Sequence, residues 1–132
     1  MCIFCEIVKG NIPCKKIYEN EYVLAFLDVS NDVIGHTLVV PKKHYENIID
    51  CPLSLLLEVV KVVKKISKHY TENCCFTAVN ILNASGASAQ QSVFHLHFHI
   101  LPRKEDDKLD AWPKFKPINR DLDSEQKILE LK

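Results

Sequence analysis

Hydrophobic and polar positions alternate most sharply between residues 91 and 102. Here Phe94, Leu96, Phe98 and Ile100 are interleaved with His95, His97 and His99. Successive side chains of a strand point to opposite faces. The stretch therefore reads as a strand with three imidazoles on one face and Phe94, Leu96, Phe98 and Ile100 directed into an apolar core. A helix would scatter both sets around its axis. The clearest helical pattern runs from Pro52 to Tyr70. Leu55, Leu56, Val59, Val60, Val63, Ile66 and Tyr70 recur three or four residues apart, and Lys61, Lys64, Lys65 and Lys68 fill the solvated face, with His69 at the surface. Pro52 suits the first turn, where its missing N–H costs nothing. Residues 2–9 predict one or two helical turns ended by Gly10. Residues 17–19, 22–29, 36–40 and 75–82 predict strands, joined by a turn at Asn20-Glu21, a loop at 30–32, a turn at Gly35 and a small-residue loop at 83–89. From Arg103 the chain is polar, with Trp112, Pro113 and Pro117, and reads as extended and partly ordered. About five strands and one long helix in this order predict an α+β fold.

Composition narrows the classes. The chain has 132 residues, enough for one domain with a sizeable core. Apolar residues make up 47% and charged residues 26%, an ordinary globular balance. Basic and acidic residues number 17 each, so the chain lacks the positive excess of a general nucleic-acid or membrane-surface binder. A small phosphate-bearing ligand stays open. No apolar run approaches the roughly 18–20 residues of a membrane span. Met1–Glu6 has neither a basic leader region nor a long apolar one, so a cytoplasmic protein with reduced thiols is expected. In that setting the Cys2-x-x-Cys5 pair reads first as metal-binding or redox-active. Cys14, Cys51, Cys74 and Cys75 read as small, buried or partly buried residues.

Three imidazoles on one strand face admit four readings. They could be packed structural groups, although each ring then needs a hydrogen-bond partner. They could supply a catalytic zinc centre, since two histidines at i and i+2 can share an ion with a third donor. One could be a nucleophile, because neutral imidazole attacks phosphorus and a phosphohistidine splits one displacement into two. Or the same residues could bind a nucleotide or metal without turnover.

The stretch Gln91–Leu101 resembles the signature of the histidine triad (HIT) family, in which three histidines are separated and followed by apolar residues. Ile3-Phe4-Cys5-Glu6-Ile7, Ile12-Pro13, Ala25-Phe26-Leu27-Asp28 and Gly35–His44 resemble further family segments in the family's order. The resemblance covers residues 2 to about 103 and is nearest the Hint-like and bacterial Hit branch. It implies a HIT domain over 1–103 and a polar C-terminal tail over 104–132 that packs near the active site or a dimer partner. The implied fold is an antiparallel sheet of about five strands with one long helix and a short N-terminal one.

The implied activity is nucleotide hydrolysis or transfer at the α-phosphate of a nucleoside phosphoramidate, mononucleotide or dinucleoside polyphosphate. His97 would become nucleotidylated, and His99, His36 and Ser92 would complete the catalytic set. Asp28 would bind the ribose, and Phe4, Ile7, Phe26, Val29 and Leu38 the base, with Asn83 and Gln91 also at the nucleotide. Relatives with a structural zinc imply the ligands Cys2, Cys5, His44 and His95. The implied partners are a purine nucleotide and a second copy of the chain, with no nucleic acid and no membrane. Two alternatives remain: a nucleotide-binding regulator without turnover, and a three-histidine zinc hydrolase. Two departures from the family pattern stand out. Gln90 replaces the glycine usual before Gln91, and the 83–91 loop is a residue longer than in many relatives.

Overall fold

The computed structural model describes residues 1–131. Its elements are α1 (Ile3–Val8), β1 (Lys16–Glu19), β2 (Val23–Leu27), β3 (Thr37–Pro41), α2 (Leu53–Asn73), β4 (Ala78–Leu82), a short 3-10 turn (Ala87–Ala89), β5 (Phe98–Arg103) and α3 (Leu122–Leu129). The strands form one antiparallel sheet in the order β1-β2-β3-β5-β4. This is the α+β architecture that the hydrophobic pattern and the family resemblance both indicate.

Each sheet face has its own apolar layer. Val23, Ala25, Val39 and Ile100 pack under Val59, Val62, Val63, Ile66 and Tyr70 of α2. Leu24, Phe26, Leu38 and Val40 pack on the opposite face with Phe4 of α1. This explains why β2 and β3 read as continuous apolar runs: a strand covered on both sides has no polar alternation. Strand pairing sets Leu38 beside His99, and Val39 beside Phe98. The histidine face of β5 is therefore the α1 side, and the alternate residues face α2.

Four details depart from the sequence expectation. The ladder of β5 begins only at Phe98, so residues 91–97 run beside the sheet without strand pairing. Phe94 is not core but 46% exposed, because its segment has already left the pleat. Within α2, Val62 is buried and Val60 is 44% exposed, a shift of the apolar stripe by part of a turn. The expected extended tail carries α3, capped where the Asp121 carboxylate accepts from the Ser124 N–H. Gly35 holds a left-handed turn (φ +81°), and a Cβ there would lie 3.0 Å from Pro102 Cγ, so this entry into β3 requires glycine. Among the described residues, no helix is long and apolar enough to cross a membrane.

Candidate functional site

Five histidines form a continuous row on the α1 side of the sheet. Ring centroids are 4.9 Å apart for His44 and His95, 4.8 Å for His97 and His99, and 5.1 Å for His36 and His99. Phe4 bridges the middle, edge-on to both His95 and His97 at 5.8 and 5.1 Å. The row draws on β5, the segment before it, the residue preceding β3 and the loop after β3. A single strand's alternation supplies only three of its members.

Hydrogen bonds hold the unpaired 91–97 segment. The Leu96 N–H donates to Tyr45 O (2.7 Å). The buried Gln91 side chain accepts from the Gly86 N–H (2.8 Å) and donates to Glu46 O and Val93 O. Asn83 Nδ2 donates to His97 O (3.0 Å), and Ser85 Oγ donates to Asn83 Oδ1. Gln91 and Asn83 thus act on the backbone that carries the histidines. The preceding Gln90 sits at φ +70°, a left-handed conformation that glycine adopts without strain and other residues rarely take. Ser92 is exposed, and its hydroxyl has no partner among the described residues.

His97 is 6% exposed, and its Nδ1–H donates to the His95 carbonyl at 2.8 Å. That bond fixes the tautomer and leaves Nε2 with its lone pair. Burial pushes the pKa of His97 below the ordinary histidine value, partly offset by the hydrogen bond to His95 O and the Asp28 charge. The ring is therefore neutral near pH 7. Burial, followed by the nearby His97 and His36, lowers His99 to about 4.

At one end of the row, His36 Nδ1–H donates to both Asp32 oxygens at 3.0 Å. Its Nε2 lies 2.9 Å from His99 Nδ1 and 3.8 Å from Asp28 Oδ2. Burial pushes the Asp28 carboxyl up, but hydrogen bonds from the Ser30 hydroxyl and N–H outweigh it and hold the group below its usual value. Asp32 was visible in the sequence only as a loop residue. Its position four residues before His36 was the available signal for a partner.

At the other end, Cys2, Cys5, His44 and His95 bring four donor atoms within 4.8 Å of one another. His95 Nε2–H donates to Pro41 O (2.8 Å), so Nδ1 presents its lone pair to the cluster. Its Nδ1 lies 3.4 Å from Cys2 Sγ, 3.5 Å from Cys5 Sγ and 3.2 Å from His44 Nδ1; His44 Nδ1 lies 3.4 Å from Cys5 Sγ. Tetrahedral zinc bonds of about 2.3 Å to sulfur and 2.0–2.1 Å to nitrogen require S···N separations of roughly 3.6 Å and N···N separations of roughly 3.3 Å. These four separations fit that geometry to within a few tenths of an ångström.

Of the base-pocket candidates, Phe4, Phe26 and Leu38 are buried in one cluster and Ile7 packs against it, whereas Val29 is 94% exposed. Asp28, His36 and His99 come together. Ser92 and Val29 are exposed.

The HIT domain family pattern matches residues 9–106. Over 102 residues, covering 77% of this chain and 70% of the relative, the sequence is 47% identical to Protein hit of Bacillus subtilis. An adenosine 5′-monophosphoramidase of Schizosaccharomyces pombe is 40% identical over 107 residues, 80% of this chain and 77% of that protein. A crystal structure of a HIT family member from B. subtilis superposes with a TM-score of 0.84 at 41% identity, covering 96% of this chain and 91% of that one. A zinc-bound histidine triad family protein from Mycobacterium smegmatis gives 0.79 at 38% identity, covering 83% and 80%. With its histidine row, its five-stranded sheet and these relatives, the chain belongs to the HIT domain family and lies close to the bacterial Hit proteins.

Proposed function

We propose that the protein is a nucleotide hydrolase or transferase that acts at the α-phosphate through a nucleotidyl intermediate on His97. The observation that carries this is the His97 tautomer: with Nδ1–H held by His95 O, a buried neutral ring offers Nε2 as the nucleophile. In a nucleoside phosphoramidate, Nε2 forms a bond to phosphorus as the P–N bond breaks, and the amine departs with a proton taken from solvent, which the attacking water returns in the second step. Water then forms a P–O bond, the P–Nε2 bond breaks, and the nucleoside monophosphate leaves with His97 neutral again. His99 and Ser92 face the phosphoryl oxygens and leaving group, and His36 positions His99 through their 2.9 Å contact. Asp28 receives the ribose hydroxyls, and Phe4, Ile7, Phe26 and Leu38 take a purine, with Val29 at the rim. The monophosphoramidase activity named for the yeast relative supports this substrate class.

Cys2, Cys5, His44 and His95 hold a structural Zn²⁺ in this reading. Four protein donors fill a tetrahedron and leave no place for a reactive water. With His95 committed there, His95, His97 and His99 are not together available to one catalytic metal. The zinc-bound mycobacterial relative is consistent with such an ion. The protein works in the cytoplasm as a homodimer, for which Leu53 and Leu57 of α2 and Ile81 of β4 offer exposed apolar surface. The tail and α3 then reach towards the partner or its site.

The test is a quenched reaction with adenosine 5′-phosphoramidate, read by AMP release and intact mass. Wild type should show an acid-labile adenylyl adduct. His97→Ala should show none and lose about a thousandfold or more of the AMP rate, the scale expected for removing a nucleophile. Equal AMP from both proteins would overturn the assignment. Nucleotide binding without AMP from either would favour the regulator.

A further inference from the structure

We propose that Asp28, His36 and His99 form a second divalent-cation site of the zinc type, at the opposite end of the histidine row from the cysteines. One donor atom from each lies within 4.8 Å of the others. His36 Nε2 is 2.9 Å from His99 Nδ1 and 3.8 Å from Asp28 Oδ2. Zinc bound to two imidazoles and a carboxylate at 2.0–2.2 Å would set these separations near roughly 3.3 Å. These two separations therefore change by only about half an ångström, and the third starts within 4.8 Å. The neutral His99 ring, protonated on one nitrogen, moves that proton from Nδ1 to Nε2 when the ion takes its place, with no net proton lost.

The surroundings resemble a prepared ligand set. Metal-binding histidines commonly donate their other ring N–H to a carboxylate, which orients the ring and raises its basicity. His36 does this to both oxygens of Asp32 at 3.0 Å. Asp28 is ionised, with the Ser30 N–H and hydroxyl holding its Oδ1 at 2.7 and 2.5 Å, while Oδ2 faces His36. A cavity of about 380 Å³, lined by His36, His99, Asp32, Asn83 and Gln90, gives an entry path and room for water as a fourth ligand. Two imidazoles among three donors suit zinc, cobalt or copper and disfavour magnesium and calcium, which take oxygen ligands. Without thiolates, this site binds more weakly than the cysteine site.

Occupancy has a consequence that rests on the proposed function. The ion takes Asp28 from the ribose and His99 from the phosphate, so it competes with nucleotide. The enzyme then needs the first zinc for its fold and is inhibited by the second.

Metal-stripped full-length protein titrated with Co²⁺ separates the two sites. The first equivalent should bring a thiolate-to-metal charge-transfer band and the second only ligand-field absorption, since it meets no sulfur. His36→Ala and His99→Ala should weaken the second equivalent by a hundredfold or more and leave the thiolate band intact. Asp32→Asn, at a half-exposed position that folding tolerates, should weaken it about 10–100-fold. AMP should displace the second ion and spare the first. Saturation at one equivalent, or a second ion unaffected by His36→Ala together with His99→Ala, would overturn the site. His97→Ala should retain the second ion, so the metal site stands or falls independently of the nucleophile. If the second ion binds in wild type and AMP fails to displace it, the inhibitory role is overturned.

Discussion

His95 and His99 flank His97 on the same face, two residues to either side, yet they have opposite surroundings. His95 is wholly buried, its Nε2–H tied to Pro41 O and its Nδ1 turned to two thiols and His44. His99 is half-buried beside a cavity, facing His36 and, through it, the carboxylates Asp28 and Asp32. Both rings lie on the α1 side of the sheet. What each can do is set by the segment packed against it: the cysteine-bearing α1 at one end, the acidic 28–32 loop at the other. Four donors including sulfur make a closed site. Three donors beside a cavity make an open one, suited to substrate or an exchangeable ion.

The largest effect that would break this contrast comes from the closed end. Cys5→Ser removes one thiolate and should abolish tight zinc binding, measured as metal retained after dialysis. At zinc a thousandfold above its Kd, the lost stabilisation is about 4 kcal/mol, which corresponds to a drop in Tm on the order of 10 °C. His99→Gln should leave the tightly held, dialysis-resistant zinc of the cysteine site unchanged. If Cys5→Ser retains stoichiometric zinc and an unaltered Tm, the two ends do not differ as described.

Acidification probes the middle and the open end. In metal-free protein, burial lowers His97, and burial with its histidine neighbours lowers His99 to about 4. The unfolded chain, with histidines near 6.5, therefore binds protons first as the pH falls. The stability from neutral His97 and His99 is complete above about pH 6.5 and is lost as the pH drops towards 4. Urea midpoints between pH 7.5 and 4.5 should fall with pH, less steeply in His99→Gln. A midpoint that rises on acidification would contradict the burial of these rings.

The smallest effect concerns the loop beside the open end. Gln90 occupies a left-handed conformation at φ +70°. Gln90→Gly relieves that strain and adds backbone freedom to the unfolded chain, so the two terms largely cancel. The urea midpoint should move by under about 1 kcal/mol of stability. A loss above about 2 kcal/mol would show that the Gln90 side chain itself holds the 83–91 loop.

The fold was largely legible because its apolar patterns are local. Leu96 and Ile100 are fully buried where alternation placed them, and Val59, Val63, Ile66 and Tyr70 form the inner face of α2. Phe94 misled because alternation marks a face only while the chain remains in the pleat. The 91–97 segment is held instead by Tyr45, Glu46 and Asn83. The helix α3 was hidden in a polar tail whose apolar residues stay exposed, so no buried stripe announced it. The Cys2-x-x-Cys5 pair showed a metal motif, but pairing it with His44 and His95 drew on family resemblance, since spacing alone does not reach donors some forty and ninety residues away.

By itself, the sequence determined which side chains could share a face and which donor types were available: three alternating imidazoles, a cysteine pair, and a carboxylate at the end of an apolar strand. Those properties follow from side-chain chemistry and from the two-residue repeat of a strand. Only the tertiary structure decided that His95 meets thiols, that His97 turns Nδ1–H to a carbonyl and frees Nε2, and that Asp32 stands behind His36. These depend on segments far apart in the chain, brought together because both faces of the sheet must be covered, and a local pattern carries no record of which segment will cover them.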